Sequence, residues 1–497
     1  MEPSTEPIQA ILDLEQAVDE FRKTVEPLLD PSQEEKWDGT KLKRKEVAIL
    51  QAGLQLVGHC IAILIYQLAL TESVKLAANL QVQGVAGMNY GNQAFKEVTI
   101  TLIGGVQVQF LTLYKLSRNR KKGRGRRRKR GNRGKSQGQG CYPVLALLGI
   151  GAGVSPLVRC LVTQAATQSA SFEQAQPLVA WLGLNFSTSR IRRISVAFCR
   201  AGLQVRAQRM ARLAAGKMPA GKALQGKRVV VSVDGGRIRV REPITQGRKR
   251  KSGRRGYKTD WKEPKVLAIY VIDEEGRKVV RTDVPLVHDG TLLGLEKFLE
   301  LLRFYLHELG IAHAEEVILI GDGAPWIWLN VPPLLKELGC SPEHICQILD
   351  YYHASQHLYE LADALFGTKS QAQGWACKWS KRLKRGSART LLIEIRDHLS
   401  RNDCKDIEEA KKQYKYFKNH QEKGRLAYAH FKTHKLPIGS GVVESLIRQV
   451  VNLRLKGSGK FWLLETVEAF LHARCQWSAH LWTSFCDTVI TSGLAPI

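Results

Sequence analysis

Three carboxylates stand next to glycine or serine where apolar sequence ends. Asp234 closes Val-Val-Val-Ser-Val-Asp-Gly-Gly (229–236), Asp322 closes Val-Ile-Leu-Ile-Gly-Asp-Gly (317–323), and Glu444 follows Ile-Gly-Ser-Gly (438–441). An acid at a strand end is held rigidly, as the oxygen ligands of a hard divalent cation need to be. The chain as a whole has the opposite sign, with 75 Lys and Arg against 46 Asp and Glu and a formal net charge of +29. Carboxylates that hold cations, in a chain that attracts polyanions, imply chemistry on phosphodiesters. Two ions about 3.5–4 Å apart activate the attacking oxygen and stabilise the leaving one. Taken singly, each acid has a plainer reading: Asp-Gly after a strand is a common turn, and Glu in a first helical turn answers the helix dipole. It is the set, in its order, that carries the functional reading.

The elements that must position these acids can be read around them. Strands are predicted over 228–233, 265–272 and 278–286, with an extended piece over 237–241 and a turn at Asp273-Glu-Glu-Gly276. A helix is predicted over 291–309, with Leu292, Leu295, Leu299, Leu302 and Leu306 at helical spacing and Gly310 as its stop. Strands over 316–320 and 344–349 then lead into Asp322 and Asp350. The expected class is α/β. Residues 226–366 form the first part of a catalytic core, 367–434 a helical insertion, and 435–497 the returning helices that carry Glu444, with Arg448 near the same face.

The upstream half reads differently. Residues 1–40 carry a net charge of −8, which leaves +37 for the remainder, and they read as an acidic helical segment. Residues 1–97 are expected to be helical, with one helix over 41–85, and 98–114 reads as a β-hairpin around Gly104-Gly105. From 115 to 135, thirteen of 21 residues are Lys or Arg and none is acidic. Residues 115–140 are therefore expected to be a disordered basic loop, with Arg124, Arg126, Arg127 and Arg128 as phosphate contacts or a localisation signal. Residues 141–225 resemble helix–turn–helix, with Ser171 as cap, Gly183 as stop, and Arg190, Arg192 and Arg193 at the start of a recognition helix; two packed helices with a basic face are the plainer reading. A second basic loop, 246–258, holds seven bases and no acid, among them Arg248, Lys249, Arg250, Arg254 and Arg255.

Val-Asp-Gly-Gly, Gly-Asp-Gly-Ala-Pro-Trp, Asp-Tyr-Tyr-His and Gly-Ser-Gly-Val-Val-Glu-Ser together resemble the bacterial insertion-sequence transposases of the ISKra type. More broadly, the set is similar to the DDE transposases with a ribonuclease-H-like core, including the Mutator-like group. The resemblance covers 226–475 and extends loosely to 142–149. It implies that Asp234, Asp322 and Glu444 bind two Mg²⁺ or Mn²⁺ ions, and that Asp350 and His353 form an auxiliary element that places DNA. It also implies double-stranded DNA as partner, both terminal inverted repeats and target, with a homo-oligomer joining two ends. Trp375 or Trp379 of the insertion would stack on DNA near the cut, unless both are core residues.

Other readings follow from the same residues. A stand-alone nuclease would cut without joining, and a transposase descendant would only bind DNA. His353 and His357 are four apart, like a zinc pair, but lack the Glu of His-Glu-x-x-His; Cys340, His344 and Cys346 are close in sequence. Ten cysteines without Cys-x-x-Cys spacing, behind a polar acidic start, imply reduced thiols, a cytoplasmic, nucleoid-associated bacterial protein and no membrane partner. The apolar stretch 47–70 is interrupted by Gln51, Gln55, His59 and Gln67, and so is expected to be a buried helix.

Overall fold

In the computed structural model the described residues are 8–33, 36–83, 90–117, 140–244, 246, 255–401 and 403–492. The chain divides into two compact units, one of 1–205 with 482–497 and one of 206–481.

In the first unit a two-residue strand β1 (Ile8–Gln9) precedes the helices α1 (Leu14–Leu29), α2 (Gly39–Leu70) and α3 (Glu72–Gln83). The single helix expected over 41–85 is divided at Thr71, an extended residue that closes α2 by donating its N–H to Gln67 and Leu68. Among the described residues α2 is the one helix long and apolar enough to cross a membrane. One face of it is buried, through Ala52, Gly58, Ala62, Ile65 and Ala69, while Leu50, Val57 and Leu64 are exposed. The expectation of a buried helix therefore holds for one face only.

The hairpin runs past both expected limits, pairing β2 (Tyr90–Thr101) with β3 (Val106–Ser117), and a short β4 (Gly140–Cys141) adds to β3. Lys115 belongs to β3 and is buried, so the first residue of the expected basic loop is strand instead. Residues 118–139, with Arg124, Arg126, Arg127 and Arg128, lie outside the described residues, as do Arg248, Lys249, Arg250 and Arg254. Helices α4 (Pro143–Leu147), α5 (Pro156–Gln168), α6 (Phe172–Ala180) and α7 (Thr188–Ala214) follow. The helix Trp482–Thr491 also belongs to this unit, and Phe485 meets Phe198 edge to face.

The second unit is built on a mixed five-stranded sheet. Its strands are β5 (Arg228–Gly235), β8 (Lys265–Ile272), β9 (Leu286–Thr291), β10 (Glu316–Gly321) and β11 (Ile345–Leu349). Their order is β11-β10-β5-β8-β9. β10 runs parallel to both β5 and β11, while β8 runs antiparallel to β5 and β9. The α/β class is as expected. β5 and β10 are apolar without alternation because both faces of the sheet are covered, and Val229, Val230, Val231, Ile318, Leu319 and Ile320 are buried. Between β5 and β8 the chain forms a separate ribbon, β6 (Ile238–Pro243) paired with β7 (Tyr257–Lys262).

The third sheet strand is not where the sequence predicts it. Residues 278–285 make an isolated bridge at Lys278, the strand is Leu286–Thr291, and helix α8 starts at Leu295 (Leu295–Leu309) rather than at 291. The strand hid because it buries polar residues. Asp289 has no exposure and accepts from Arg206 (2.9 Å), Tyr305 (2.7 Å) and His472 (3.1 Å). Arg206 also donates to Glu468 at 3.0 Å. That network fixes α16 (Leu464–Ser478), buried along most of its length, to the edge strand.

Between β10 and β11 lies α9 (Pro325–Glu337), and after β11 comes α10 (Tyr351–Leu365). The expected insertion is present as α11 (Lys369–Lys384), α12 (Ala388–Ser400), α13 (Ile407–Glu422) and α14 (Tyr428–Thr433), leading to α15 (Gly441–Ile447).

Candidate active site

The sheet register brings the first two acids together. β10 pairs with β5 from Glu316↔Arg228 to Ile320↔Ser232, and two residues further along each strand stand Asp322 and Asp234. Helix α15 packs on β5 and β8 and presents Glu444 in its first turn. Glu444 is exposed, Asp234 and Asp322 half-buried. Immediately after α15 the backbone widens into a π-helical turn, Arg448–Asn452, a feature common at functional sites. Arg448 lies on that turn, exposed, as does Ser445 just before it.

Electrostatics tie the three carboxylates together. Asp234 is pushed up to about 6, first by burial and then by the negative charges of Asp322 and Glu444. The N–H of Gly235, 2.6 Å from Asp234 Oδ1, and the nearby His353 pull the other way. Asp322 Oδ1 accepts from Ala324 N at 2.9 Å, and Glu444 Oε1 accepts from Ser440 Oγ at 2.8 Å. A carboxylate burdened by two neighbouring carboxylates is part of a donor set that a divalent cation relieves, and all-carboxylate oxygen suits Mg²⁺ or Mn²⁺ better than zinc. Among the described residues no three His, Cys, Asp or Glu side chains are already gathered around one point as a metal site. The donor chemistry thus fits, without a preformed cage.

Asp350 is the joint between core and Glu444. Its carboxylate has no exposure. One oxygen caps α10 by accepting from Tyr352 N and His353 N, and the other accepts from Ser440 N in the loop before α15. Its own N–H donates to Gly321 O (2.9 Å), and Tyr351 N donates to Ile438 O (2.9 Å). Asp350 thus holds the Asp322 strand end, the His353 helix and the Glu444 loop in one arrangement. With both oxygens engaged inward, its carboxylate serves to position these neighbours.

Sequence reasoning missed Tyr416. From α13 its ring lies against Gly323, where a Cβ would come within 2.3 Å of the ring. Its hydroxyl is buried without a hydrogen-bond partner among the described residues. Burial raises its proton affinity most, and the charges of Asp322 and Asp350 add to it. A Tyr in a polar basic helix carries no mark in the sequence; the signal was the Gly after Asp322. Gly439 has the same kind of neighbour, since a Cβ there would meet the Tyr352 ring at 2.9 Å.

Other expected residues are placed elsewhere. Trp375 and Trp379 are core: both donate to Glu394 Oε1, at 2.6 and 2.9 Å, and Trp379 has no exposure. His357 stacks on Tyr416, with ring centroids 3.9 Å apart, and its Nδ1 lies 2.9 Å from Gln413 Oε1. Cys340 is buried and donates to Ile311 O, and burial pushes the Cys340 and Cys346 thiols up to about 11 and about 12.

In the first unit, the helix–turn–helix outline is present. Ser171 caps α6 by accepting from Gln174 N at 3.2 Å, and Gly183 has φ of 75°. Ser187 Oγ accepts from Arg190 N at 3.3 Å before α7. Arg190, expected to contact DNA, is half-buried and has partners within the protein. Its guanidinium lies 4.0 Å from the Phe186 ring and donates to Thr101 Oγ1 at 2.9 Å. Arg192 and Arg193 are exposed, as is Arg255 beside the second basic loop.

No family model, curated protein or solved structure matches the chain.

Proposed function

We propose that this chain is a DDE-type transposase with a ribonuclease-H-like core, cutting and joining the ends of its own DNA element. The observation that carries the reading is the sheet. A five-stranded sheet in which only β8, the second strand along the chain, is reversed sets Asp234 and Asp322 at the same end of two adjacent parallel strands, and the helix carrying Glu444 packs on the first of them. Ligands of α/β sheets bind beyond the carboxyl ends of the strands, where these acids lie.

Asp234, Asp322 and Glu444 would hold two Mg²⁺ or Mn²⁺ ions, which when bound supply an activated oxygen nucleophile and charge stabilisation at phosphorus. The protein's own part is positioning. Asp350 sets the Glu444 loop, His353 favours the ionised form of Asp234, and Tyr416 packs the Asp322 loop. Arg192, Arg193, Arg255, Arg448 and the basic stretches supply phosphate contacts. Joining two ends calls for at least two subunits.

The test is a supercoiled plasmid carrying the DNA that flanks the gene on both sides, incubated with the protein and Mg²⁺. Strand breaks at the element ends followed by joined products are expected. Breaks without joining would make the protein a nuclease, and no breaks with intact binding would make it a DNA-binding descendant.

A further inference from the structure

Trp375 and Trp379 are committed to Glu394, but exposed aromatic rings lie on the ribbon that leaves β5 just after Asp234. β6 and β7 pair from Ile238↔Lys262 to Pro243↔Tyr257, so alternate residues share a face. Ile238 and Val240 are fully buried and fix one face inward. The opposite face carries Arg239, Arg241, Tyr257, Thr259 and Trp261, and no acid. Trp261 is 47% exposed and Tyr257 49%.

A neighbouring segment extends this face. Arg241 N donates to Trp462 O at 2.7 Å and Trp462 N to Arg239 O at 3.2 Å, which seats Phe461 beside the ribbon. The Arg239 guanidinium lies 5.2 Å from the Trp261 ring and 5.1 Å from the Phe461 ring, and Arg241 lies 4.6 Å from Tyr257. Three exposed rings interleaved with two guanidinium groups are costly as bare surface, but they suit a π-faced, anionic ligand. A duplex hides its base faces, whereas unpaired nucleotides present them for stacking.

We propose that this face is a stacking platform for unpaired bases of a DNA strand, at the strand end that carries Asp234. The proposal rests on the nucleic-acid reading above and names the part of the substrate that the ribbon takes: nucleotides splayed or single-stranded beside the broken bond. Arg239 and Arg241 answer the phosphates, and Trp261, Tyr257 and Phe461 take the bases irrespective of sequence.

The test uses the full chain and short single-stranded oligonucleotides containing 2-aminopurine, whose emission is quenched by stacking. Binding should quench the probe, and Trp261→Ala or Tyr257→Ala should each weaken single-strand affinity by roughly 5- to 150-fold while leaving duplex affinity unchanged. Trp261→Phe, which keeps a ring, should restore most of the loss, and an unchanged thermal melt shows that the fold is intact. Wild-type affinity for single strands in both alanine variants, or binding without quenching, would overturn the platform. A protein that stacks single strands yet never cuts element ends would overturn the transposase reading alone, and one that cuts ends while both variants bind single strands normally would overturn only the platform.

Discussion

Asp234 meets two opposed demands. Its proton affinity is raised from the ordinary aspartate value to about 6 by burial and by Asp322 and Glu444, so the folded protein prefers it protonated. That preference stabilises the fold at low pH and is lost as pH rises through about 6, leaving a cost of about 3 kcal/mol at neutral pH. Asp234→Asn should therefore melt at a higher temperature than wild type near neutral pH without divalent ions, and the difference should close below about pH 4. Added Mn²⁺ should stabilise wild type and not the variant, and cation affinity should fall as pH drops through about 6, since the proton competes for the same oxygens. Asp350 makes a different demand. Asp350→Ala removes a helix cap and leaves Ser440 N–H unpaired, which together cost about 2–4 kcal/mol. Denaturant unfolding should show that loss, and cleavage should fall with it because Glu444 loses its anchor. The Asp-Gly and Gly-Ser-Gly contexts made the three acids legible in the sequence. The buried hydroxyl of Tyr416 was not, because no local pattern marks a side chain whose partner is 93 residues away (Gly323).

At the scale of elements, one close contact between insertion and core is that of Tyr416 with Gly323. Gly323→Ala would drive a Cβ into the Tyr416 ring, an overpacking of about 1–3 kcal/mol. Tyr416→Leu should relieve part of that in the double variant, and a thermodynamic cycle of melts would measure the coupling. The edge strand depends on its buried charges. Arg206→Met leaves Asp289 and Glu468 without their cation and should cost about 3–5 kcal/mol in urea unfolding. The same network explains the misplaced third strand: His-Asp-Gly-Thr reads as a turn by composition, and only Arg206 and His472, distant in sequence, make it a strand. By contrast β5, β8, β10 and β11 were legible because continuous apolar runs with both faces covered leave a local trace. α8 was legible for a similar reason, its leucine spacing and Gly310 stop, and only its start was placed too early.

For the whole molecule, charge and carboxylates must be reconciled. A net charge of +29 brings phosphate to the protein without regard to sequence, and DNA affinity should fall with a log–log salt slope near −0.9 per phosphate contacted. A flat response in binding measured across salt concentrations would remove the role given to the basic segments. Charge was the most easily read property of the chain, yet it did not say which cations are held inside the protein. Arg190, chosen for its position at a helix start, packs on Phe186 instead, because the hairpin supplies Thr101 from 89 residues away. The central claim is that Asp234, Asp322 and Glu444 act together to cut DNA. The most direct measurement compares plasmid cleavage by wild type with that by Asp234→Asn, Asp322→Asn and Glu444→Gln in Mg²⁺ and Mn²⁺, with DNA binding followed in parallel. Loss of cleavage in all three, with binding retained, is the expected result; wild-type cleavage by any one of them would contradict the account.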